Sequence, residues 1–168
     1  QRIITIALDE AAKSTLAYKH GCVATCGGKI IARACNTNRS YKGTKTMNCM
    51  NTSHAEINVL RMLEHKYKAN PRKLSKITLY IARIDRKIKG EMFLSAPCMD
   101  CFCKIKELNI KSIVYTCNNN NIQKHSTDNF VTRSKPHTYL SDLLFRRQIL
   151  PAANGDIVEH RDENFEGG

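Results

Sequence analysis

The sequence predicts an α/β sandwich built on a mixed sheet, and three observations carry that expectation. An apolar helical stripe at the N-terminus runs into a stretch that alternates around a Gly-Gly pair. A helix opening at His54 is followed by an apolar strand over 77–84, and a second helix opening at Cys98 is followed by another strand over 112–117. Strands and helices alternating at these lengths pack as helices laid on a sheet.

Taken in order, Ile3 to Lys19 reads as a helix, because Ile6, Ala7, Leu8, Ala11, Ala12 and Leu16 form a broad apolar stripe. Strands are expected near 21–26 and 29–35, joined at Gly27-Gly28, a pairing that suits a tight hairpin. The polar stretch 36–52 reads as a loop. The helix from His54 carries Ile57, Leu60, Leu63 and Tyr67 on one face and stops before Asn70-Pro71. Ile77 to Ile84 is a strand, Asp85 to Gly90 a charged turn, and Met92 to Leu94 a short extension. In the helix from Cys98 to Leu108, residues Cys101, Ile105 and Leu108 fall on one buried face, with Asn109 as a left-handed cap. Ser112 to Cys117 is a strand and Asn118 to Asn121 a turn. Residues 122–135 are ambiguous, with a strand expected near Phe130, and a last helix is expected from His137 to Ile149. The expected organisation is one domain over 1–151 and an acidic, disordered tail over 152–168.

At 168 residues, with 42% apolar composition, the chain suits one domain with a proper core. No apolar run reaches membrane-spanning length and no signal-peptide core opens the sequence. The eight cysteines lie mostly in strand-like or helical text, so they read as reduced, in an intracellular, cytoplasmic protein. A second metal site using Cys49 or Cys26 is conceivable, but no spacing asks for it. The net charge of +12 is uneven: ten Lys/Arg lie between Arg61 and Lys89 against Glu64 and Asp85, while the last fourteen residues carry five acids against Arg161. Such an excess attracts phosphate-bearing partners, nucleotide or nucleic acid alike, although a solvated lysine face is the plainer account.

The chemistry-bearing residues come in two clusters, His54-Ala55-Glu56 and Pro97-Cys98-Met99-Asp100-Cys101. Each alone has a structural explanation. Ser53 and Glu56 fit a capping box, Pro97 a first-turn proline, and the two cysteines small buried groups. Both together, in this order and each opening an apolar helix, point to a metal site. One imidazole and two thiolates leave a corner of a tetrahedral zinc open, as a catalytic site requires. Both helix N-termini would then lie at the metal and favour the thiolate forms of Cys98 and Cys101. Zinc so held acidifies a bound water, and Glu56, off the metal, is placed to shuttle protons.

On these motifs the chain resembles the cytidine/deoxycytidylate deaminase superfamily from about His20 to Cys117, in which H-x-E and P-C-x-x-C hold zinc and a glutamate moves protons. The resemblance implies a cytidine deaminase-like three-layer α/β/α sandwich around a mixed sheet, zinc bound by His54, Cys98 and Cys101, catalysis by Glu56, and a homo-oligomer. The strand Lys29 to Asn36 is similar to the family's second strand ending in asparagine, which implies that Asn36 contacts the substrate's sugar or base. The Ala55 backbone amide inherits a base contact in the same way. The runs His54-Ala55-Glu56-Ile57-Asn58 and Cys101-Phe102-Cys103-Lys104-Ile105 resemble deoxycytidylate deaminases in particular. Two features depart from that pattern: the charged insertion Arg83 to Glu91, and Ala34-Cys35-Asn36 in place of Gly-Tyr-Asn.

Three functions follow in order of preference. The first is hydrolytic deamination of a small-molecule cytosine nucleotide, deoxycytidylate to deoxyuridylate, with Arg39 in the Asn36 loop as the expected phosphate contact. The second is deamination of a base within single-stranded DNA or RNA, tRNA included, with segment 61–89 tracking the backbone; it lacks an aromatic stacking platform. The third is a non-catalytic zinc-stabilised binding module, against which Glu56 argues.

Overall fold

The computed structural model describes residues 2–38, 52–85 and 91–132. Arg39, Cys49, most of the 36–52 loop, the turn over 86–90, the helix expected over 137–149 and the tail over 152–168 lie outside the described residues. The elements are α1 (Arg2–Ala12), β1 (Tyr18–Cys26), β2 (Lys29–Cys35), α2 (Ala55–Tyr67), α3 (Pro71–Leu74), β3 (Ile77–Asp85), α4 (Met99–Glu107), β4 (Ser112–Thr116) and β5 (Ile122–Ser126). The strands form one mixed sheet in the order β2-β1-β3-β4-β5. Only β3 and β4 run parallel, and α4 supplies the crossover that parallel neighbours need.

The period-two alternation of the strands separates the helices into two layers. Cys22 and Ala24 of β1 and Leu79 and Ile81 of β3 face α2 and α4 in the main core, with Leu60, Leu63, Phe102 and Ile105. Val23 and Ala82 face the other way and pack on Ala7 of α1. Gly21 lies in that second row, and a Cβ on it would come within 2.1 Å of the Ala7 carbonyl oxygen and 2.4 Å of the Ala11 amide nitrogen. Helix α1 therefore lies on the sheet at a distance only a glycine allows. The expected α/β/α layering is the observed one.

Several boundaries differ from expectation. Helix α1 stops at Ala12 rather than Lys19, because Ser14 Oγ donates to the Asn36 carbonyl at 3.0 Å and accepts from the Leu16 amide at 3.2 Å. A serine bonding backbone in this way competes with helix continuation. Strand β1 then begins at Tyr18 and pairs along its whole length with β3, from Tyr18↔Asp85 to Cys26↔Ile77. The hairpin at Gly27-Gly28 forms as predicted, with both residues at positive φ (56° and 76°). The strand expected near Phe130 is instead β5, over Ile122–Ser126. Its Ile-Gln-Lys-His-Ser run carries little apolar signal, but Asn119 and Asn120 adopt left-handed φ (59° and 58°) and turn β4 back into an antiparallel partner. Phe130 buries in the core, 4.9 Å from the Phe102 ring centroid and 5.8 Å from that of Tyr115. Asn109 is the left-handed cap that was expected, at φ 53°. No helix among the described residues is long and apolar enough to cross a membrane.

Candidate metal centre and active site

The two motif clusters meet at the N-termini of α2 and α4. His54 is the N-cap of α2, Cys98 the N-cap of α4, and Cys101 lies in the first turn of α4. His54 Nδ1 is 3.2 Å from Cys101 Sγ and 3.5 Å from Cys98 Sγ, and the three donor atoms all lie within 4.8 Å of one another. A tetrahedral zinc with bonds of about 2.0–2.3 Å separates its ligands by roughly 3.5 Å, so the spacing fits that ion. The donor set fits too: a borderline-soft nitrogen and two thiolates suit zinc better than a hard cation. Among the described residues no other such group of donors forms, Cys26 included, and no disulfide links the described cysteines.

The electrostatics favour a cation between these groups. Hydrogen bonding from Cys101 draws the Cys98 thiol down to about 4 against the opposing effect of burial, with His54 assisting. His54 is raised to about 9, chiefly by its hydrogen bond with Cys98. Glu56, 4% exposed in the first turn of α2, is pushed upward by burial, while His54 pulls the other way. Burial thus favours its protonated form more than at the surface, which suits a proton-carrying carboxyl.

Two segments are held so that these side chains converge. Ser53 pairs with Thr37 through both backbone groups, and its Oγ donates to Asn58 Oδ1 at 2.6 Å, while Asn58 Nδ2 donates to the Cys35 carbonyl at 2.9 Å. The expected Ser53–Glu56 capping box does not form: His54 is the cap residue, and the Ser53 hydroxyl is engaged by Asn58. On the other side, Ser95 Oγ donates to the Ile81 carbonyl at 2.8 Å and lies 2.9 Å from Thr116 Oγ1, which donates to the Phe93 carbonyl at 2.7 Å. Leu94 and Met92 donate their amides to Asn118 Oδ1 and Asn120 Oδ1. This network seats the segment before Cys98 over the ends of β3 and β4. Pro97 precedes the cap of α4 rather than occupying its first turn, and its carbonyl accepts from Thr132 Oγ1 at 2.8 Å.

A cavity of about 390 Å³ opens over the cluster, lined among others by Tyr18, His20, Asn36, His54, Glu56 and Cys98. That volume suits a small ligand. Asn36 lines the cavity, and its amide also ties down β1: Nδ2 donates to the Tyr18 carbonyl at 2.8 Å and Oδ1 accepts from the His20 amide at 2.9 Å. One N–H and one lone pair remain for a ligand. Ala55 is fully buried at the first position of α2. Tyr18 and His20 were not singled out from the sequence. Their signal was the strand alternation, which puts them in the row of Cys22 and Ala24 once β1 is known to start at Tyr18.

A family model described as "Cytidine and deoxycytidylate deaminase zinc-binding region" matches residues 1–117. The chain belongs to this family, and with it to the zinc-dependent hydrolytic deaminases. Its solved structural neighbours include a dCMP deaminase from the cyanophage S-TIM5 in apo form, similar at 19% sequence identity over 69% of this chain and 80% of that one, with a TM-score of 0.46. No curated protein matches the chain in sequence.

Proposed function

We propose that the protein deaminates a cytosine nucleotide, converting deoxycytidylate to deoxyuridylate with release of ammonia. The observation that carries this reading is a buried glutamate beside a three-donor cluster of zinc geometry at the base of a nucleoside-sized cavity. His54, Cys98 and Cys101 would hold the zinc, which would supply a Lewis acid and an acidified water there. Glu56 is the proton carrier: it would accept a proton, deliver it to the ring nitrogen beside the amino-bearing carbon, and serve again when the amine departs as ammonia. The free N–H of Asn36 and the Ala55 amide orient the substrate.

A strand of nucleic acid tracked by segment 61–89 is less well supported. Lys66, Lys68, Arg72 and Lys73 are exposed at the far end of α2 and on α3. Thirteen-residue α2 begins at the metal cluster, so at about 1.5 Å per residue those charges lie roughly 18 Å away. Ammonia release from deoxycytidylate, cytidylate, deoxycytidine, single-stranded DNA and tRNA tests the assignment. The expected result is turnover of deoxycytidylate with none on the polymers, and activity confined to a polymer overturns it.

A further inference from the structure

Arg83 stands apart from Lys66, Lys68, Arg72 and Lys73, which are exposed. It continues the inward row of β3, after Leu79 and Ile81, and is the register partner of His20 on β1. Its guanidinium carbon lies 4.9 Å from the Tyr18 ring centroid and 5.9 Å from that of Phe93, distances at which a cation is held on aromatic faces. The backbone is fixed as well: its carbonyl accepts from the Phe93 amide at 3.2 Å and its amide donates to Thr116 Oγ1 at 3.3 Å. Among the described residues no carboxylate pairs with it, and its Nε is buried without a hydrogen-bond partner. A buried guanidinium donor with nothing to bond is costly, and an anionic ligand would relieve it. Tyr18 and His20, the side chains against which Arg83 lies, both line the cavity. Its charge is also felt there, since it is among the causes holding His20 neutral.

We propose that Arg83, seated on the rings of Phe93 and of Tyr18, which lines the cavity, binds the phosphate of the substrate and so sets the preference for a nucleotide over a nucleoside. This rests on the nucleotide-deaminase reading above. Among the described residues no carboxylate competes with the phosphate for the guanidinium, and the ring contacts leave its Nε without a hydrogen-bond partner. The expectation from sequence gave this role to Arg39, which lies outside the described residues, and the two assignments make opposite predictions.

The test uses the zinc-loaded full chain and its Arg83→Gln, Arg83→Lys and Arg39→Gln variants. Steady-state turnover is measured on deoxycytidylate and on deoxycytidine, and calorimetry measures binding of deoxyuridylate and deoxyuridine. For Arg83→Gln, KM for deoxycytidylate should rise at least tenfold and deoxyuridylate binding weaken by a similar factor, with both deoxycytidine turnover and deoxyuridine binding within about twofold of wild type. Arg83→Lys should recover part of the loss, since it keeps charge without the fork. Equal losses on nucleotide and nucleoside would make Arg83 merely structural, and a selective effect in Arg39→Gln alone would give the role back to Arg39; either overturns the proposal while leaving the deaminase reading intact. A wild-type protein that neither turns over nor binds any of the four compounds would instead remove that reading. Should the variants fold poorly, the ¹⁵Nε–¹H resonance of Arg83 in wild-type protein decides: it should shift with deoxyuridylate and not with deoxyuridine, and an unmoved resonance overturns the proposal.

Discussion

At the residue scale, His54, Glu56, Cys98 and Cys101 were readable because their geometry is local. Two residues separate Cys98 from Cys101 and one separates His54 from Glu56, so a helical turn suffices to place each pair. The structure adds the meeting of the two turns, with donor atoms 3.2–3.5 Å apart. Purified protein should therefore carry about one zinc per chain, and Cys98→Ala or Cys101→Ala should lose it on metal analysis. Full retention in both variants would remove the site. His20 was not readable, since its place depends on where β1 starts. Burial, with Arg83 and His54 nearby, lowers it to about 4 from 6.5, so it is folded in its neutral form. The unfolded chain binds that proton at higher pH than the folded one, so stability is complete above about 6.5 and declines as pH falls toward 4. The contribution is at most about 3 kcal/mol, an upper figure for a ring bordering a cavity. Denaturant melts of His20→Gln at pH 7 and pH 5 should show a shallower loss than wild type, and parallel slopes would contradict this.

At the element scale, secondary structure was legible wherever hydrophobic periodicity decided it and illegible where side-chain hydrogen bonds did. α2, α4, β2 and β4 lie close to their expected bounds. β5 was missed because its pairing comes from left-handed asparagines rather than from apolar residues, and α1 was drawn too long because Ser14 ends it. Two substitutions test what holds the elements. Gly21→Ala puts a methyl against the α1 backbone, which cannot yield as a flexible side chain would, and should cost about 1–3 kcal/mol or more in denaturant unfolding. An unchanged midpoint would mean that α1 is not seated as described. Ser95→Ala leaves the Ile81 carbonyl and the Thr116 amide, which donates to Ser95 Oγ at 3.0 Å, short of a partner in a buried network, at about 1–3 kcal/mol. Because this network seats Cys98, the variant should also bind zinc more weakly in a chelator competition, whereas loss of stability alone would make Ser95 a packing residue.

For the whole molecule, the sheet brings together residues that are far apart in sequence: Asn36 at the end of β2, His54 at the head of α2, and Cys98 at the head of α4. The metal joins the last two, so its binding free energy is also folding free energy. Free zinc at about a hundred times its dissociation constant would add roughly 2.7 kcal/mol to stability. A chelator should accordingly lower the thermal midpoint of the wild type and have little effect on Cys98→Ala. The central claim is that the metal cluster and Glu56 divide the work, one holding zinc and the other moving protons. Zinc content and deoxycytidylate turnover, measured together on wild type and Glu56→Gln, test that division. The account predicts equal zinc in both proteins and turnover reduced on the order of 10²–10⁴-fold in the variant; near-normal turnover in a zinc-loaded Glu56→Gln protein would contradict it.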